Sequence, residues 1–128
     1  MQEGGVIGQT PGMTLDELES EVRAILVRYE DVLEASEVNG MEVLRRPGAR
    51  SHEGFAGVRQ KGGTVQVMVV PMHAHRELVE GLSPELRGRM AGPSMLVLRQ
   101  GDDRLLTEVE ELVQRAFDAY VGQPPGTE

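Results

Sequence analysis

Two histidines, His73 and His75, stand two residues apart in "VVPMHAHREL". On an extended strand, residues i and i+2 point the same way, so two imidazoles at this spacing could share one metal ion. They follow Pro71, however, and a proline ends a strand because it has no amide to donate. Two imidazoles alone leave a ligand set incomplete, and His52 would have to join from a separate loop. The segment reads more simply as a polar corner where a strand turns into a helix. His73 and His75 stay secondary metal candidates.

A second group is acidic. Asp16, Glu17, Glu19 and Glu21 crowd the start of "TLDELESEVRAILVRYEDVLEASE", and Glu30, Asp31, Glu34 and Glu37 crowd its end. Glu17 and Glu21 are four apart, hence neighbours on a helix surface. Clustered carboxylates attract hard cations such as Fe²⁺ weakly and without fixed geometry. Asp16, Glu17 and Glu21 are therefore the metal candidates of an alternative in which the chain handles weakly bound iron. The plainer account is a solvated helix face whose first acids suit the helix dipole. No firmly held cofactor is expected.

A third group is cationic. Arg45, Arg46 and Arg50 frame "RRPGAR", and Arg87, Arg89 and Arg99 come later. If a sheet gathered Arg45, Arg46, Arg87 and Arg89, they would hold an anionic ligand or a partner's acidic surface. Otherwise they are an ordinary charged surface, or one that pairs with the acidic helices of a second copy. Sequences that assemble a nucleophile are missing: there is no GxSxG, no Walker loop and no HExxH. Ser51, His52 and Glu53 are adjacent, but a catalytic triad is a spatial arrangement. Ser83 is better placed as a helix cap. No enzymatic activity is expected, and a hydrolase is a distant third possibility.

Composition narrows the classes further. The 128 residues include no Cys, which excludes disulfides and thiolate chemistry and suits a reducing cytoplasm. A chain of this length suggests one domain with a core of its own. Net charge is −8, unevenly spread: −7 over residues 1–40, +4 over 41–100 and −5 over 101–128. An acidic field, without aromatic interleaving or a recognition helix, argues against nucleic acid. No apolar run approaches the ~20 residues of a spanning helix, and no signal peptide opens the chain, so no membrane is expected. Twelve Arg against Lys61 alone is most simply codon bias.

The elements that must position these groups follow from periodicity. Residues 1–12 are Gly-rich and read as a flexible arm. Thr14 and Glu17 have capping-box spacing, and Met13 with Leu18 has hydrophobic-staple spacing. Apolar residues from Leu15 to Leu33 recur every three or four positions, which predicts a helix over that span or slightly beyond. Asn39-Gly40 breaks it. "MEVLRR" is a short strand. "FAGVRQ" and "TVQVMVV" flank "KGG" as a hairpin, with Val65, Val67 and Val69 on a wholly apolar face and Gln66, Met68 and Val70 on a mixed one. Short helices follow at "HRELVEG" and at "LSPELRGRM", where Ser83 caps and Pro84 takes the first helical position. "SMLVLRQ" is a fourth strand. Gly101, Asp102 and Asp103 open a last helix with a stripe from Leu105 to Val121. Residues 13–121 thus form a single α+β domain, a two-layer sandwich of two long terminal helices on a four-stranded, mostly antiparallel sheet, and 122–128 are a flexible tail.

From Gly54 to Tyr120 the chain resembles the YdhG-like family, a domain of unknown function. Phe55 and Ala56, Pro71 after an apolar strand, "LSPEL" from Leu82 to Leu86 with Arg87, Arg89 and Met90, Gly92, and Phe117 with Tyr120 carry the resemblance. The family strand after the Gly often reads Lys-Ser-Cys-Phe-Asn-Phe. Here Pro93-Ser94-Met95-Leu96-Val97-Leu98 lacks the lysine, the cysteine and both aromatics. The resemblance implies two terminal helices on a sheet, and some members are described as iron chaperones of frataxin-like shape. The function expected is non-enzymatic binding at the sheet, of a second copy as a homodimer, of another protein or of a small ligand.

Overall fold

The computed structural model describes residues 13–38, 40–48 and 54–122. The expected arm, most of the tail, and Asn39, Arg50, Ser51, His52 and Glu53 lie outside the described residues.

Helix α1 (Leu15–Val27) begins where the capping box predicts. Thr14 Oγ1 accepts from Glu17 N–H, and Glu17 Oε1 accepts from Thr14 N–H at 3.0 Å. Its buried stripe is Leu18, Val22, Ile25 and Leu26. The helix stops at Val27, short of the expected Leu33. A turn carries Tyr29 and Leu33 inward and leaves Val32 57% exposed.

The residues expected to extend that helix instead form a strand, β1 (Glu34–Val38). It pairs without irregularity with β2 (Met41–Arg45) across Asn39-Gly40, and Gly40 has φ +80°. A two-residue loop of this kind favours positive φ, which Asn-Gly tolerates best. The sheet therefore has five strands, not four. β3 (Gly54–Lys61) and β4 (Thr64–Val69) form the second hairpin around Gly62-Gly63, whose φ values of 62° and 77° suit the same turn.

Pro71 ends β4 and opens α2 (Pro71–Ala74). α3 (Arg76–Glu80) closes at Gly81. α4 (Pro84–Arg87) is capped by Ser83, whose Oγ accepts from Leu86 N–H. β5 (Met95–Leu98) then enters the sheet antiparallel to β4, and α5 (Asp103–Gly122) ends the fold. The strand order is β1-β2-β3-β4-β5, antiparallel throughout.

Period-two alternation splits this sheet into unlike faces. Val65, Val67, Val69, Leu96 and Leu98 are fully buried beneath α1 and α5. Met72, Leu78, Val79 and Leu86 from the short helices, and Leu82 between α3 and α4, join the same core. That core is the only place where α5 can hide Leu105, Val109, Leu112, Val113 and Ala116, so all helices lie on one side.

One irregularity matters. The register between β2 and β3 slips at Leu44/Arg45, so Leu44 faces Ala56 while Arg45 faces Gly54. Phe55 is the extra residue, and such a bulge re-aims a side chain. Phe55 is fully buried against Tyr29, Phe117 and Tyr120, with ring centroids 5.4–5.6 Å apart. These four are every aromatic residue in the chain.

Candidate binding surface

The face away from the helices is the one large surface that the fold leaves without a covering layer among the described elements. The register lines up Ser36, Val43, Gly57, Met68 and Met95 in one row across all five strands. Arg59, Gln66 and Val97 form part of the next row. Met68, Met95, Val97 and Gln66 are each half-buried, whereas Met41 and Val43 are 3% and 1% exposed.

Gly57 contributes to that contrast. A Cβ added there would lie 3.0 Å from Met41 Sδ and 3.1 Å from Val43 Cγ2. The two side chains thus fold over the place where Gly57 has none. They are sealed within the sheet, and the apolar groups that keep accessible area on this face are Met68, Met95 and Val97, where methionine's flexible thioether suits a surface that adapts to what it touches.

Polar groups share this face. Arg59 Nε donates to Gln66 Oε1 at 2.7 Å. Arg45 Nε stands 3.9 Å from Glu34 Oε2 and is buried without a hydrogen-bond partner among the described residues. Arginine on a partly apolar face suits protein contact, since its planar head sheds water more readily than an ammonium.

The structure does not gather the four arginines expected to act together. Arg45 and Arg46 end β2. Arg46 N–H donates to Tyr120 Oη at 3.0 Å, and its guanidinium lies 4.9 Å from the centre of that ring. Arg87 Nη2 donates to Leu82 O, and Arg89 O accepts from Val97 N–H beyond the far edge strand. Four strand spacings separate the pairs, roughly 20 Å. Arg99 is exposed after β5.

The acidic residues hold separate posts. Glu17 closes the capping box. Asp16 Oδ1 accepts from Gln60 Nε2 at 2.8 Å, and Glu19 Oε1 shares that donor. Glu21 is exposed. Glu30 and Asp31 sit in the turn after α1, while Glu34 and Glu37 belong to β1. His73 is exposed on α2, and His75 joins α2 to α3 with Nδ1 3.6 Å from Glu77 Oε2. Among the described residues no group of three or more His, Cys, Asp or Glu could hold a metal ion. Ser83 Oγ donates to Glu108 Oε1 at 2.8 Å while it caps α4, and Ser83 N–H donates to Glu108 Oε2 at 2.6 Å.

Among the described residues two titrating groups are displaced, both at the joint between α1 and α5. Burial raises the Tyr29 phenol, Arg28 opposes that shift, and Asp118 and Glu110 reinforce it. The Arg28 guanidinium is raised by its hydrogen bond and ion pair with Glu110. Neither group lies on the helix-free face.

No family model, no curated protein and no solved structure matches this chain. No helix is long and apolar enough to cross a membrane among the described residues. The binding surface draws on Met68, Met95 and Val97, none of them singled out by residue chemistry. The signal that reaches some of them is the alternation in "TVQVMVV" and "SMLVLRQ".

Proposed function

We propose that this chain is a non-enzymatic binding domain that meets a protein partner, a second copy foremost, through the helix-free face of its sheet. The observation that carries the proposal is the partly exposed apolar group Met68, Met95 and Val97 on neighbouring strands, left without a helix on a face that also holds Arg45 and Arg59. Two terminal helices on one side of the sheet also support the YdhG-like resemblance. The absence of Cys supports a cytoplasmic setting.

Size decides the kind of contact. Five strands about 4.8 Å apart, each offering about four residues of 3.4 Å, present a face of roughly 330 Å². Two such faces bury about 650 Å², below the ~1,200 Å² of stable complexes. A homodimer on this face alone is therefore weak and reversible.

Native mass spectrometry of untagged protein across a concentration series, without chelator, reads subunit count and bound mass together. The expected result is a monomer that becomes a dimer as concentration rises, and a Met68→Glu variant that stays monomeric with an unchanged far-UV spectrum. High salt should not loosen an apolar contact, whereas it would loosen acidic helices set against basic loops. A dimer indifferent to Met68→Glu, or a monomer at every concentration, would sink the second-copy assignment. Bound iron that survives purification would point to metal handling instead.

A further inference from the structure

The two edges of the sheet are not alike. Beyond β5, the chain supplies its own pairing: Val97 N–H donates to Arg89 O at 2.8 Å, and Ala91 N–H donates to Met95 O at 2.9 Å. Beyond β1, no backbone group among the described residues pairs with the strand. In a two-residue hairpin the residues flanking the loop are a hydrogen-bonded pair, here Val38 and Met41. Bonding alternates from there, so the N–H and C=O groups of Ala35 and Glu37 point outward. They are a ready template for one more strand.

Charge selects what that strand can be. Glu37 lies directly across from Glu42 on the helix side, a like-charge pair that costs stability. Arg23 is committed to Glu19 at 2.7 Å and to Glu42 at 3.3 Å, and no cation among the described residues pairs with Glu37. A groove of about 480 Å³ remains between α1 and β1, lined in part by Glu19, Glu37 and Glu42 together with Arg23 and Arg59; Arg23 answers Glu19 and Glu42, which leaves Glu37 as the carboxylate without an ion pair among the described residues. The β1 strand of a second copy would bring two further carboxylates to this edge. A basic strand would relieve the repulsion.

We propose that β1 accepts an extended basic peptide segment as a sixth strand, with a Lys or Arg side chain reaching Glu37 at the groove and alternate apolar side chains extending the helix-free face. Main-chain bonds to Ala35 and Glu37 would supply affinity and the Glu37 carboxylate would supply selectivity. This surface is distinct from the face proposed above, and either can fail without the other.

The test uses fluorescein-labelled decapeptides and fluorescence anisotropy on the full chain. A peptide of alternating Lys and Val should bind. Glu37→Gln should weaken it about 1.4- to fivefold, the span of one cross-strand ion pair. The alternating Glu and Val peptide should not bind. Methylating every second amide nitrogen of the Lys-Val peptide, on the side that meets Ala35 and Glu37, should abolish binding, as should Ala35→Pro. The methylated peptide carries the test if Ala35→Pro fails to fold. No binding of the Lys-Val peptide, or equal binding of the methylated or acidic peptide, would overturn the proposal.

Discussion

Replacing Gly57 with Ala tests the packing of the helix-free face directly. The new Cβ would lie 2.5 Å from the Glu42 carbonyl oxygen, 3.0 Å from Met41 Sδ and 3.1 Å from Val43 Cγ2. The methionine can swing away. The carbonyl cannot, because β2 and β3 pair through the Glu42–Val58 and Val43–Gly57 steps around it. Overpacking costs about 1–3 kcal/mol, here about 2–3 because the closest contact is unmoving backbone, and about 1 kcal/mol returns because alanine loses less backbone entropy in a strand. The net is a loss of about 1–2 kcal/mol. With about 110 ordered residues and about 2.1 cal/mol/K of unfolding entropy each, 1 kcal/mol is worth about 4 °C, so Tm should fall by about 4–9 °C. Thermal and urea unfolding followed at 222 nm would measure this. Gly122→Ala is the control: its Cβ meets nothing within 4 Å, and it should leave Tm unchanged or slightly raised. If Gly57→Ala melts with the wild type, the close approach of Met41 and Val43 is wrong, and with it the packing of this face.

Three other outcomes are expected. Glu108→Ala removes both acceptors that hold Ser83 and should cost about 1–3 kcal/mol in urea unfolding, with α4 the first segment to lose amide-exchange protection. Tyr120→Phe leaves the Arg46 N–H without its phenolic acceptor and should cost about 0.5–1.5 kcal/mol. In that variant Tyr29 is the sole tyrosine, so absorbance at 295 nm should titrate above the ordinary phenol value of about 10. A raised phenol contributes stability that is whole below pH ~10 and is lost as pH climbs through the folded value, so unfolding midpoints should be flat through neutrality and fall on the alkaline side. A midpoint insensitive to alkali up to unfolding would refute the burial of Tyr29.

The fold was legible where local chemistry and periodicity agreed. The capping box at Thr14 and Glu17, the Gly62-Gly63 hairpin, the Ser83-Pro84 start and the last helix all appear where the sequence puts them. The miss is instructive. Tyr29 and Leu33 are buried at helical spacing but lie in a turn, so an apolar stripe continued past the helix that began it. The stronger cue was Asn39-Gly40 between "EASEV" and "MEVLR", a hairpin rather than a mere break. The arginines illustrate another limit. Nothing local tells Arg45 that three strands will separate it from the segment holding Arg89. The sheet face was half legible, because alternation identified the covered side of β4 but not that Gly57 would let Met41 and Val43 settle between strands. The bulge at Phe55 breaks the alternation that would have assigned its face.

The aromatic quartet also determines what optical methods can see. Tyr29, Phe55, Phe117 and Tyr120 share one end of the domain, and the chain has no Trp. Near-ultraviolet dichroism and intrinsic fluorescence therefore report from one corner, where the bulge of β3 meets the later turns of α5. The short helices after Pro71 and the β5 edge carry no such chromophore. Fraying there would be silent in emission and visible only in the backbone signal. A melt in which the two signals part company would identify which end of the domain opens first.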